Sequence, residues 1–144
     1  FAATQILLHS DCSYGRATAL KHCLYVCTSC RMPGEPREPA HGRAGSRLYA
    51  SLAAGWGTRL EAAGIALVPY PCLSVCPRPC GVALRAPGKF TYVFGDMAAG
   101  LTEETLFACA ALYRRKADGF MPREDRPEAL RASILARVPP LLDP

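Results

Sequence analysis

Two rhythms of hydrophobic residues organise this chain. Short unbroken apolar runs mark strands, and apolar residues spaced by four mark helices. Cys23-Leu24-Tyr25-Val26 is a run of the first kind and predicts a buried strand that delivers Cys27 at its C-terminal end. Residues 31–45 carry Pro33, Pro36 and Pro39 among charges and predict a loop. Leu48, Leu52, Trp56 and Leu60 then recur every fourth residue and predict a helix with one buried face, capped by Ser46 and stopped at Gly64. Gly55 and Gly57 either weaken that helix or let something pack closely. Ile65-Ala66-Leu67-Val68 predicts a second strand, ended by Pro69 and Pro71. Cys80–Ala86 and Lys89–Phe94 predict a hairpin turning at Pro87-Gly88. Thr102 is placed to cap a helix that buries Leu106, Cys109, Ala110 and Tyr113, with Glu103 and Glu104 at its positive end and Arg114, Arg115 and Lys116 at the other. Asp125 opens a predicted final helix with Leu130, Ile134 and Val138 inward, stopped by Pro139-Pro140.

The predicted order is β-α-β-β-β-α with an extra C-terminal helix, without internal repeats. Residues 1–22 show no clear periodicity and read as an N-terminal extension holding His9, Cys12 and His22; residues 23–140 read as the folded domain. A chain of 144 residues, half of them hydrophobic and a fifth charged, is long enough for a real core. No apolar run reaches membrane-spanning length, so no membrane association is expected. The first residues have no basic leader and only a short apolar stretch, which argues against a secretory signal; the sequence does not begin with Met. A cytoplasmic location follows, where clustered cysteines mean metal or redox chemistry rather than a disulfide framework. The net charge of +5 reads either as a solvated surface or as a match to an acidic partner protein, and it can partly offset a buried anionic centre. Basic residues are not interleaved with aromatics, so no nucleic-acid partner is expected.

The candidate chemistry lies in two cysteine groups. Cys27 and Cys30 stand in Val-Cys-Thr-Ser-Cys, and Cys72, Cys76 and Cys80 stand in Cys-Leu-Ser-Val-Cys-Pro-Arg-Pro-Cys. A Cys-x-x-Cys turn lets two sulfurs approach one metal, and Cys-x-x-x-Cys does so with one more residue of slack. Two such pairs supply four soft ligands, enough for a [2Fe-2S] cluster, a [4Fe-4S] cluster or tetrahedral Zn. No His lies inside either group, which favours an all-sulfur site. A dithiol redox pair at Cys27 and Cys30 is the alternative, but such a pair usually opens a helix, and Arg31-Met32-Pro33-Gly34 is poor helix. Cys109, among Ala and Leu on a predicted helix, reads as a small buried hydrophobe. Other catalytic constellations are missing: no Gly-rich loop follows a strand in phosphate-binding order, and no Ser sits in a nucleophile elbow. The carboxylates Glu103, Glu104, Glu124, Asp125 and Glu128 read as helix-start residues, and Asp96 as a turn former. The chain is therefore expected not to be an enzyme.

Cys72-Leu-Ser-Val-Cys76, the following strand, Ala86-Pro-Gly-Lys89 and Phe90-Thr-Tyr-Val-Phe-Gly95 resemble the second half of the thioredoxin-like [2Fe-2S] ferredoxins. Leu24-Tyr-Val-Cys-Thr-Ser-Cys-Arg31, the second cysteine group and Ile134-Leu-Ala-Arg-Val-Pro-Pro140 resemble more closely a bacterial family of predicted metal-binding proteins. That family is a domain of unknown function whose genes often accompany those for cobalamin biosynthesis or metal homeostasis. The resemblance implies an α/β, thioredoxin-like fold with a mixed four-stranded sheet flanked by helices. It matches Cys27 to the first ferredoxin ligand, and Cys72 and Cys76 to the last pair. The second ligand departs from the pattern, because only Cys30 is available in the first loop, and Cys80 has no counterpart.

The resulting assignment is Cys27, Cys30, Cys72 and Cys76, with Cys80 either replacing Cys30 or spare. The implied function is electron transfer through a [2Fe-2S] cluster to a redox partner protein, a larger enzyme, with a homodimer left open. The alternatives are a Zn-binding or metal-handling protein without redox role, and a thiol-disulfide oxidoreductase. Pro71, Pro77 and Pro79 remove backbone donors near the second group, whereas Arg31 and Arg78, beside ligands in sequence, are expected to favour the reduced state.

Overall fold

The computed structural model describes residues 22–142. Of the expected N-terminal extension only His22 is among them, so a site involving His9 or Cys12 lies outside the described residues. The strands are β1 (His22–Cys27), β2 (Ile65–Tyr70), β3 (Val82–Arg85), β4 (Thr91–Phe94) and β5 (Ile134–Val138), and the α-helices are α1 (Ala44–Ala62) and α2 (Glu103–Arg115). They form one mixed sheet of order β2-β1-β3-β4-β5. β1 and β2 run parallel across the α1 crossover, while β3 is antiparallel to both β1 and β4. This is a thioredoxin-like α/β arrangement with one strand added at its edge.

β1 is central because every one of its residues is buried, the condition that produces an uninterrupted apolar run. Its side chains alternate between two clusters. Leu24 and Val26 join the main core with Leu48, Leu52 and Leu60 of α1 and Leu106, Cys109 and Tyr113 of α2, while Cys23 and Tyr25 join Val68 and Ala83 in a smaller cluster on the other face. Trp56, only half-buried, leans on Phe107 at 5.3 Å between ring centroids and ties the two helices together. Cys109 is 1% exposed, and burial pushes its thiol up to about 12, as befits a small core residue. No helix of the described residues is long and apolar enough to cross a membrane.

Several local expectations are corrected. The sheet has five strands rather than four, because the predicted C-terminal helix does not form. Residues Arg123–Asp125 and Glu128–Leu130 make short 3-10 turns, and Ile134–Val138 is strand β5. The four-residue spacing of Leu130, Ile134 and Val138 mimics a helical face, yet only Leu130 is buried. Pro127 interrupts helical bonding, and the open edge of β4 offers unpaired backbone that β5 satisfies from Thr91↔Val138 to Phe94↔Ile134. α1 begins before Ser46, whose hydroxyl instead donates to the Thr28 carbonyl at 3.2 Å. Thr102 occupies the N-cap position of α2 but turns its hydroxyl back to the Ala98 carbonyl at 2.9 Å. Glu103 is buried, accepting hydrogen bonds at 2.5 Å from the Ser51 hydroxyl and the Gly100 amide. Nothing packs within 4 Å of where a Cβ would stand at Gly55 or Gly57.

His22 is a core residue, 8% exposed, with its ring edge-on to Tyr113 at 6.0 Å. Among the described residues neither ring nitrogen has a hydrogen-bond partner. Burial, with the nearby charges of Lys89 and Arg114, lowers its pKa from 6.5 to about 4. The unfolded chain therefore takes up a proton that the native state refuses between those two values. His22 leaves stability intact above about pH 6.5 and erodes it as pH falls toward 4. His22→Leu is expected to remove on the order of 3 kcal/mol of the acid-side decline. Urea denaturation at stepped pH measures this, and an unchanged slope in the variant would exonerate His22.

Candidate metal centre

The sheet topology brings the two cysteine groups to one end. β1 delivers Cys27 at the edge where β2 ends and β3 begins. The Cys27 amide donates to the Gly81 carbonyl at 3.0 Å, and the Thr28 and Ser29 amides donate to Tyr70 and Pro71 at 2.9 and 3.2 Å. Two glycines permit the close approach. A Cβ at Gly45 would overlap the Cys27 carbonyl oxygen, and the Gly45 amide donates to the Cys30 carbonyl at 3.0 Å, seating the start of α1 on the Cys27–Cys30 turn. A Cβ at Gly81 would run into Val75 and stand 3.9 Å from the Cys27 Cβ. Cys80 is pinned from the other side by paired 3.2 Å hydrogen bonds with Met97.

Three thiols meet in this seat. Cys27, Cys30 and Cys80 are 1%, 3% and 1% exposed. They are close enough for Cys27 to act on Cys30 and Cys30 on Cys80 in setting which sulfur holds its proton. Donating to Cys30, and then burial, push the Cys27 thiol far above its ordinary range. For Cys30, the bond from Cys27 pulls down, but donation to Cys80 and burial push up by more. Cys80, the last acceptor, is held below its ordinary value by the Cys30 bond against the opposing effect of burial. Backbone amides add to this: Gly81 donates to Cys30 Sγ at 3.4 Å, and Leu73 donates to the Cys27 sulfur. Of the three, Cys80 alone is shifted toward the thiolate.

Cys72 and Cys76 are exposed. The Ser74 amide donates to Cys72 Sγ at 3.3 Å across a tight turn in which Ser74 takes φ +59°. Cys76 and Cys30 face a common cleft of about 550 Å³, whose walls include Arg31, Met32, Arg37 and Arg43. The structure thus groups Cys27 and Cys30 with Cys80 and leaves Cys72 on the outer turn, whereas the sequence spacing paired Cys72 with Cys76. Arg78, expected beside the centre, does not line the cleft. Its guanidinium binds the Asp96 carboxylate, with Nε at 2.8 Å from Oδ2, and reaches the Ala132 carbonyl at 3.3 Å. Arg31 remains at the cleft, its Nη1 donating to the Glu35 carbonyl at 2.9 Å.

The donor set fits a soft metal or an iron–sulfur cluster: it is all sulfur, and three of its members are already out of water. Among the described residues no three His, Cys, Asp or Glu side chains are placed to hold an ion together, so binding requires side-chain rotation as well as proton loss. Cys80 was already among the sequence candidates, as a replacement for Cys30 or a spare, because it belongs to the second cysteine group. The cleft arginines Arg37 and Arg43 carried no such signal. Iodoacetamide treatment of the native metal-free protein, read by peptide mass spectrometry, is expected to modify Cys72 and Cys76 well before Cys27, Cys30, Cys80 and Cys109. Equal labelling of Cys80 and Cys72 would contradict the burial of Cys80.

Compared with solved structures, the chain is similar to a thioredoxin-like [2Fe-2S] ferredoxin from Aquifex aeolicus. The identity is 16%, the superposition covers 87% of this chain and 100% of that one, and the TM-score is 0.48. No curated protein matches the chain. The family described as "Protein of unknown function (DUF1636)" matches residues 24–140, from within β1 to just past β5. The chain belongs to that family.

Proposed function

We propose that the protein carries a [2Fe-2S] cluster on cysteine thiolates and serves as a cytoplasmic electron carrier for a larger redox enzyme. One observation carries this reading: three buried thiols from two distant segments, Cys27 and Cys30 from one and Cys80 from the other, lie close enough to shift one another's ionisation, beside a cleft that also exposes Cys76. The ligand set we favour is therefore Cys27, Cys30, Cys76 and Cys80, with Cys72 outside it. When bound, such a cluster supplies one-electron chemistry.

The remaining work falls to the chain's own groups. Cys80 is shifted toward the thiolate, and the amides of Gly81 and Leu73 stabilise charge on Cys30 and Cys27. Arg31, Arg37 and Arg43 on the cleft wall offset the negative charge of the thiolates. The extensive metal-independent core argues against a site whose task is to staple the fold, and the cleft beside Cys76 gives the shallow position that electron exchange needs. Zn on the same sulfurs is the second reading, favoured by the burial of three of them. A thiol-disulfide oxidoreductase fits less well. Its attacking thiol needs exposure and a low pKa, whereas Cys27 is buried and raised, and α1 starts only at Ala44.

Anaerobic reconstitution with iron and sulfide is expected to give a reddish-brown protein that bleaches with dithionite and then shows a rhombic EPR signal. Cys30→Ser and Cys80→Ser should lose most of the iron, while Cys72→Ser should keep it. A colourless protein with stoichiometric Zn would replace the first reading by the second. Iron loss in Cys72→Ser with retention in Cys80→Ser would overturn the ligand set.

A further inference from the structure

We propose that the cleft beside Cys30 and Cys76 is the docking surface for an acidic segment on the partner protein, with Arg37 as its principal contact. The inference rests on the electron-carrier reading for the partner's role, not for the recognition chemistry. Arg31, Arg37 and Arg43 line this cleft, and among the described residues no carboxylate and no aromatic ring lines it. Of the nearby acids, Glu35 pairs with Arg47 at 2.5 Å, outside the cleft lining, and Glu38 lies 3.4 Å from Arg43, so Arg43 is partly neutralised. Arg43 is also held in place, its Nε donating to the Arg37 carbonyl at 2.7 Å, and Arg31 is tied to the Glu35 carbonyl. These bonds build a rigid shelf. The Arg37 guanidinium alone is exposed and, among the described residues, has no hydrogen-bond or ion-pair partner, so its charge is available to an incoming carboxylate.

An acidic protein surface suits the cleft better than the other anions. No buried polar side chain closes over it as a small-molecule pocket would require. Met32, 41% exposed, and the exposed Cys76 and Pro77 lie on its walls, an apolar and sulfur-bearing area that a protein surface can cover. Single-stranded nucleic acid is held by stacking its bases on aromatic rings, and none lines the cleft. Docking at this place would bring the partner against the outermost thiol of the proposed centre, the shortest route for an electron.

The test uses decaglutamate as the probe on the full-length, metal-free, ¹⁵N-labelled protein. Amide shifts are mapped by NMR, and affinity is measured at low and physiological ionic strength. Shifts should concentrate at residues 29–43 and 76–79, and binding should weaken steeply with salt. Arg37→Glu should weaken binding about tenfold or more, while Arg115→Glu, on the exposed side of α2, should change it less than about twofold. Equal weakening by both variants, or shifts centred elsewhere, would reduce the effect to net charge and overturn the proposal. So would displacement of the peptide by citrate at matched ionic strength, which would reveal a small-anion pocket. Iron uptake measured on the same variants separates the two readings: a protein that docks the peptide here but never takes up iron keeps the surface and loses the electron-carrier function.

Discussion

The pairing of Cys27 with Gly81 at the end of β1 and β3 is the constraint on which the rest of the structure depends. It is a hydrogen bond one residue beyond Val26↔Val82, the last position where those strands still pair. Beyond it both chains leave the sheet, one into Cys30 and the other back through Cys80, so sulfurs far apart in sequence meet in a volume set by the sheet. Gly81 has to be glycine because Val75 occupies the space of its Cβ, and Gly45 because the Cys27 carbonyl occupies its own. The two glycines and the ladder together keep the loops from drifting apart.

Burial gives this arrangement its chemical direction. Three thiols removed from water resist ionisation, since a buried thiolate loses its hydration. The action of Cys27 on Cys30 and of Cys30 on Cys80 answers part of that cost by shifting Cys80 toward the thiolate. A soft metal answers the rest, because it stabilises every thiolate it binds and releases the protons held by Cys27 and Cys30. The same burial works against Cys27 as a free nucleophile. The cleft arginines lie where excess negative charge would collect, and they do so from a loop that internal hydrogen bonds already hold in shape.

Local patterns in the chain revealed the elements whose own residues decide their conformation. β1 was legible because a strand buried on both faces is apolar throughout, α1 because Leu48, Leu52 and Leu60 repeat at helical spacing, and the hairpin because Gly88 sits at a positive φ that few other residues tolerate. β5 was not, because the free edge of β4 decides it, and nothing within residues 125–140 announces that edge. The cysteine site divides the same way. Two soft-ligand groups were visible as spacing, but Cys80 gains its place from strand register rather than from its own neighbours. Arg78 looked close to the centre by sequence distance, and its side chain instead ties the loop to Asp96. Arg37 and Arg43 reach the cleft only because a proline-rich loop folds back over the Cys27–Cys30 turn.

The central claim is that sulfur atoms from these two segments share one inorganic centre. X-ray absorption at the metal edge of the loaded protein tests it most directly, since it counts ligands without assuming which metal is bound. The account predicts a first shell of sulfur alone at about 2.3 Å. A shell dominated by nitrogen or oxygen, or a metal bound equally well after Cys27 and Cys80 are both replaced by Ser, would contradict it.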